Sequence, residues 1–262
     1  MTHELDRKPA VPFDLRKMTQ ARVSLGRFGA GLPTSAAQAF LLDHARARQA
    51  VWSEVDWLSV RAGLAGLDTG MIEVESQAPD RATYVRRPDL GRKLSLQAAE
   101  RLAGIRSDYD ILIVVADGLS ASAIGTNAGP LTRAIVERLS ALHLSIAPLV
   151  LASQARVALG DPVSEIAGAR ISIMIIGERP GLSAADSLGV YVTCAPRPDT
   201  PDSRRNCISN IRSGGLGIDS AADGVASLVA DMLRTGISGV GLKDAVARLS
   251  HDRRPEGLAP PV

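Results

Sequence analysis

The sequence predicts an α/β fold: a Rossmann-like three-layer domain with a mostly parallel sheet, preceded by a helical N-terminal extension. Three observations carry this. Residues 110–116, 146–151 and 170–176 are apolar almost throughout, as strands buried on both faces of a parallel sheet must be. Stretches of helical length alternate with them through short connections. The third run opens at Gly177 into a loop rich in Gly, Pro and charge, at the carboxyl edge where open α/β sheets bind ligands.

The elements follow in order. Residues 1–13 are polar and read as a flexible tail. Asp14 is placed to cap a short helix through Gln20. The stretch 26–33, G-R-F-G-A-G-L-P, interrupts regular structure and is not G-x-G-x-x-G, so it reads as a segment that wraps a partner rather than a nucleotide loop. Ser35 with Gln38 resembles a capping box, opening a helix to about Val55 with Phe40, Leu41, Ala45, Val51 and Val55 on its apolar side. A second helix covers 58–67, and 71–75 reads as an edge strand. The arginine-rich stretch 78–93 is either a solvated loop or a contact surface for an acidic partner. Helices are expected at 96–105, 130–142, 154–167 (interrupted near Gly160) and 219–234, with a further strand at 189–194. Pro130 suits a first helical turn. The chain thus divides into an extension and partner-contacting segment (1–94), the α/β domain (95–250) and a C-terminal tail (251–262).

Composition narrows the function. Hydrophobic residues at 45% against 22% charged describe a globular chain, and aromatics at 3% leave the core to Leu, Ile, Val and Ala. A net charge of +2 gives no nucleic-acid signature. Two cysteines, Cys194 and Cys207, do not make a disulfide framework, which points to a reducing cytoplasm. No run approaches the ~18 apolar residues of a membrane helix. The histidines at 3, 44, 143 and 251 are scattered, so no metal site is expected.

Three stretches carry candidate chemistry. Asp117-Gly118-Leu119-Ser120-Ala121-Ser122 invites comparison with G-x-S-x-G, but Ser122 stands where the second Gly belongs. Asp117 and Ser120 read instead as partners for backbone donors at a helix start, beside a ligand crevice. Gly177-Glu178-Arg179-Pro180-Gly181 is a turn with a charged pair, placed where ligands bind. Residues 206–210, flanked by Arg204, Arg205 and Arg212, suit either a phosphate or the capping of neighbouring backbone.

The blocks R-V-A-L-G-D (156–161), I-G-E-R-P-G-L (176–182), D-S-L-G (186–189) and R-N-C-I-S-N-I-R (205–212), in this order and spacing, resemble the small (light) subunit of ethanolamine ammonia-lyase. T-Q-A-R-V-S-L-G-R-F-G (19–29) is similar to that family as well. The resemblance implies adenosylcobalamin as cofactor and a large (heavy) partner subunit with a (β/α)8 barrel. It further implies a hetero-oligomer of large–small pairs, in some members enclosed in a bacterial microcompartment. It implies conversion of ethanolamine to acetaldehyde and ammonia by homolysis of the Co–C bond and hydrogen abstraction, with the substrate site on the large subunit. The family's cobalamin contacts fall on Val157, Glu178 and Cys207, and no catalytic acid, base or nucleophile is expected in this chain. The competing expectation is a stand-alone α/β module that binds a nucleotide-like ligand; a small hydrolase using Ser120 is a third.

Overall fold

The computed structural model describes residues 22, 26, 29–105 and 108–252. The tail at 1–13 and the helix expected at 14–20 lie outside them. The first helix, α1 (Thr34–Trp52), is followed by α2 (Trp57–Leu64), strand β1 (Met71–Glu75), α3 (Arg81–Arg86) and α4 (Leu96–Leu102). Then come β2 (Ile111–Ala116), the turn α5 (Ala121–Ala123), α6 (Gly129–Ala141) and β3 (Leu149–Ser153). A 3-10 turn (Val157–Leu159) leads into α7 (Gly160–Ile166), β4 (Ile171–Gly177), β5 (Leu188–Cys194) and β6 (Asn206–Ile211). The chain closes with α8 (Ile218–Thr235) and α9 (Leu242–Asp252); the rest of the tail predicted for 251–262 is outside the described residues.

The strands form one sheet in the order β1-β3-β2-β4-β5-β6. The α/β class holds, with a mixed sheet: β1, β3, β2 and β4 run parallel, and β4–β5 and β5–β6 are antiparallel. From β2 the chain passes to β3 on one side, and from β3 it returns across β2 to β4 on the other. The carboxyl ends of β2 and β4 therefore flank the point where the winding reverses.

Alternate residues of each strand feed opposite faces. One face buries Ile113, Val115, Ile173, Ile175, Val190 and Val192 with residues of α2, α6 and α8. The other buries Val114, Ala116, Val150, Met174 and Ile176 with residues of α4 and α7. α8 packs against both β5 and β6, so the first face is covered out to the sheet's edge.

Local differences from the sequence reading have identifiable causes. Pro33 lies just before α1 with φ −55°, in the N-cap position expected for Ser35, so the helix starts two residues early; Ser35 falls inside the first turn and no side chain caps it. Phe40 and Leu41 face outward, 44% and 63% exposed, and Ala50 is the buried residue of α1. The helical stretch before β3 begins at Ala121, not Pro130, and passes through a π turn at Ile124–Ala128. That wider turn falls where Pro130, lacking an N–H, cannot complete the regular ladder. β3 is shifted to Leu149–Ser153, because Pro148 cannot donate to the neighbouring strand. The stretch 78–93 is not a solvated loop: Arg81 and Tyr84 of α3 are buried.

Candidate functional site

The edge between β2 and β4 is built by backbone. Leu119 N–H donates to Gly177 O at 2.9 Å. Gly118 has φ +56°, and a Cβ there would lie 2.1 Å from Gly177 O. A Cβ on Gly177 would lie 2.5 Å from Ser120 O. Only glycines allow the two strand ends this approach.

Asp117 and Ser120 serve this junction. Asp117 is buried and accepts from the N–H groups of Gln154 (2.8 Å) and Ala155 (2.9 Å), with Arg81 Nη1 at 3.3 Å. The backbone donors it meets are thus those following β3, not those of the helix after β2. Arg81 also donates to Gly118 O (2.8 Å) and Val51 O (2.6 Å), tying α1 and α3 to the end of β2. Burial pushes the Asp117 carboxyl up to about 6, against the two N–H bonds and the Arg81 charge. Ser120 caps α5 by accepting from Ala123 N–H, and its hydroxyl donates to Ala185 O at 2.6 Å. It is fully buried, which removes it as a nucleophile and with it the hydrolase expectation.

The loop after β4 is pinned along its length. Besides the Ser120 bond, Asn127 Nδ2 donates to Asp186 O at 2.8 Å, and Arg212 reaches the Asp186 carboxylate at 3.5 Å. Glu178 stands at its entrance, half-buried. Its Oε2 accepts from the Ser187 hydroxyl and from Asn210 N–H at 3.2 Å. The second bond depends on a β-bulge: Leu188 pairs Ile211 and Val190 pairs Ile208, so Ser209 and Asn210 together stand opposite the single residue Gly189, with Asn210 at φ +58°. The bulge turns the Asn210 N–H toward the carboxylate. No donor among the described residues reaches Oε1. The surface ion pair suggested for Glu178 and Arg179 does not form.

Directly paired residues share a face. One row therefore runs Val114, Met174, Tyr191, Cys207 across β2, β4, β5 and β6. Val114 and Met174 are buried beneath the α4 and α7 layer; Tyr191 is half-buried and Cys207 exposed. The sheet thus continues past its covering helices on this face, while α8 still backs the other. In the adjoining row, Ile176 pairs Gly189, which presents no side chain. A Cβ on Gly189 would lie 3.1 Å from Glu178 Oε1 and 3.3 Å from the Tyr191 ring. A notch therefore separates the unengaged carboxylate oxygen from the aromatic ring.

Val157 packs, half-buried, on the same apolar cluster as Tyr191. The far border of the face is an ion pair: Arg205 holds Asp161 and reaches Thr193 Oγ1 at 3.4 Å. Burial pushes the Cys207 thiol up, with the Tyr191 hydroxyl pulling it back, so the thiol is neutral. Tyr191 is pushed up to about 12, by burial first and Cys207 second.

The structure thus places Glu178 and Cys207 on one face with Tyr191 between them, and Val157 on the core cluster that carries that face. Asp117 and Ser120 are not on it. Sequence reasoning missed β6 as a strand, and with it Tyr191 and Gly189 as neighbours of the site; the alternation V-Y-V-T-C was the available signal. Within the basic stretch 204–212, several groups are engaged by the chain itself. Asn206 Oδ1 accepts from Gly239 N–H at 2.6 Å, Asn210 O accepts from Leu216 N–H at 2.8 Å, and Arg205 is committed to Asp161.

The family described as ethanolamine ammonia-lyase light chain matches residues 12–243. The chain is 47% identical over 256 residues to the ethanolamine ammonia-lyase small subunit of Bradyrhizobium diazoefficiens, covering 95% of this chain and 97% of that protein. It is 48% identical over 255 residues to the small subunit of Azotobacter vinelandii, covering 93% and 94%. With that of Rhodopseudomonas palustris it shares 45% over 232 residues, covering 88% and 89%.

Proposed function

The chain belongs to the ethanolamine ammonia-lyase light-chain family, and from that premise we propose that it binds and orients adenosylcobalamin against the large subunit. The complex splits ethanolamine into acetaldehyde and ammonia, and this chain takes no part as acid, base or nucleophile. When bound, the cofactor supplies a carbon-centred radical through homolysis of its Co–C bond.

The residues present fit the group. A corrin is broad and apolar on its faces, with a rim of amide side chains. The uncovered face of β5 and β6 offers a broad surface of Tyr191 and Cys207 beside Glu178. The notch over Gly189 admits a rim group where any larger residue would fill the space. Glu178 Oε1 accepts from an amide N–H, and the bonds to Oε2 hold it in place beforehand. A charge-assisted hydrogen bond of this kind is about twice as strong as a neutral one. Val157 contributes apolar contact, and the neutral Cys207 thiol presents a small surface that places no charge against the ring.

The observation that carries the reading is the Oε1 of Glu178, unengaged among the described residues and held by its own partners on a sheet face that those residues leave uncovered. The test is to purify this chain alone and with its large subunit, and to titrate each with adenosylcobalamin in the dark. Tight binding by the pair and weak binding by the chain alone are expected. Equal, tight binding by the chain alone points to a stand-alone module; ammonia release by the chain alone at the rate of the complex excludes the subunit role.

A further inference from the structure

Nothing in the preceding assignment of Val157, Glu178 and Cys207 involves the residue between the last two. We propose that Tyr191 is a cofactor-contacting residue: its ring forms the floor on which the cobalamin lies between Glu178 and Cys207. The inference rests on the cofactor role proposed above and goes further by assigning a contact to β5.

Tyr191 differs from the tyrosine that this fold uses structurally. Tyr84 is fully buried; its hydroxyl donates to Ala155 O at 2.9 Å, and the guanidiniums of Arg156 and Arg81 lie 4.4 and 4.9 Å from its ring centroid. Tyr191 instead lies half-exposed at the end of an aliphatic row, where the covering layer stops. Of the four side chains in that row, it is the first that the helices leave uncovered, and Cys207 is the second. A side chain with an apolar body and a polar tip suits a surface that is dry on one side and ligand-facing on the other.

Its surroundings fix its orientation. On one side the Gly189 notch brings ring edge and Glu178 Oε1 to the two walls of one gap, at 3.3 and 3.1 Å from where a Cβ would stand. On the other side its directly paired neighbour on β6 is Cys207. Behind it, Arg205 and Asp161 close the face at Thr193. A flat group entering over Gly189 to reach Oε1 therefore meets the Tyr191 ring.

The test uses the two-subunit complex, with adenosylcobalamin as the probe. Dissociation constants come from dark absorbance titrations, assembly from size-exclusion chromatography and stability from thermal melts without cofactor. Tyr191→Leu, which removes the ring and keeps apolar bulk, is expected to weaken binding by about tenfold or more. Gly189→Ala, which fills the notch, is expected to do the same. Tyr191→Phe keeps the floor and loses only the hydroxyl, so an affinity within about threefold of wild type is expected. Melts and assembly stay near wild type. If Tyr191→Leu fails to assemble, Gly189→Ala and Tyr191→Phe still decide. Wild-type affinity in Gly189→Ala and Tyr191→Leu, while Glu178→Gln binds weakly, overturns the Tyr191 contact and leaves the cofactor role intact. Loss of subunit assembly without loss of affinity makes Tyr191 a subunit contact and also overturns it. A wild-type complex that binds no cobalamin overturns both readings together.

Discussion

Arg205 grips Asp161 through two parallel hydrogen bonds, Nη1 to Oδ1 and Nη2 to Oδ2, each 2.7 Å. Both residues are buried, and the same guanidinium donates to Thr200 O at 2.8 Å. Asp161 lies four residues after Val157, and Arg205 two residues before Cys207. The pair therefore joins the segment after β3 to the start of β6, and so holds two separate stretches of chain to one candidate face.

Breaking one side of this pair is expected to cost more than removing both. Arg205→Ala leaves a buried carboxylate without its partner, a loss of about 3–5 kcal/mol. Arg205→Lys keeps the charge but not the fork, and should fall between that variant and wild type. Replacing both, as Asp161→Leu with Arg205→Met, leaves no buried charge and is expected to lie within about 2 kcal/mol of wild type. Urea unfolding of the four proteins reads this order. A double variant as unstable as Arg205→Ala would show that shape, not charge, is what this site requires.

Glu178→Gln is expected to weaken cobalamin binding by the complex with little change in melting. The glutamine oxygen still accepts from Ser187 and Asn210, so the loop stays in place. Its amide nitrogen then occupies the position of Oε1 and turns a donor toward the donors of the cofactor rim. The expected loss is on the order of 1–3 kcal/mol, about ten- to a hundredfold in affinity. Unchanged affinity, or a loss matched by a collapsed melt, makes Glu178 a turn residue.

The parts of this fold legible in the sequence are those where one physical signal dominates. β2 and β4 are apolar on both faces, so composition alone marks them, and Gly177 marks where β4 ends. β6 was illegible because its bulge breaks the period of two. Ile208 and Ile211 both pack toward α8, although three positions separate them, and Cys207 and Ser209 face outward. Buried Arg81 was hidden among surface arginines of the same stretch. Val157, Glu178 and Cys207 were reached through resemblance, since alone a valine and a cysteine look like core. Tyr191 was legible as part of a strand, but which strand face stays uncovered depends on where helices land, and no local pattern records that.

Two glycine substitutions should separate conformation from contact. Gly66 after α2 has φ +85° and open space around it, so Gly66→Ala meets backbone strain alone, about 1–2 kcal/mol. Gly118→Ala adds a Cβ 2.1 Å from Gly177 O and 2.5 Å from Ile176 Cγ1 at φ +56°. Neither atom is at the end of a flexible side chain, so the β2–β4 junction must open, at about 3 kcal/mol or more. Equal melting temperatures for the two variants would mean that the junction yields easily.

The Asp117 carboxyl gives the chain a pH dependence of unusual sign. Its pKa is raised to about 6 in the folded chain, from an ordinary value of 3.8, because burial outweighs the N–H groups of Ala155 and Gln154 and the Arg81 charge. Between those two values the folded chain binds more protons than the unfolded one. Linkage then requires this group's contribution to stability to fall as pH rises through that window and to stay low above it. A paired carboxylate with a depressed pKa does the opposite. Asp117→Asn removes the titration. It also places an amide where one of the two backbone N–H groups needs an acceptor, so the variant is less stable throughout. The stability advantage of wild type over Asp117→Asn, from urea unfolding at intervals between pH 4 and 7, is expected to shrink as pH rises. Other carboxylates titrate in both proteins and cancel in that difference. An advantage that grows with pH would show that Arg81 and the two N–H bonds outweigh burial, and that Asp117 is ionised through the whole range.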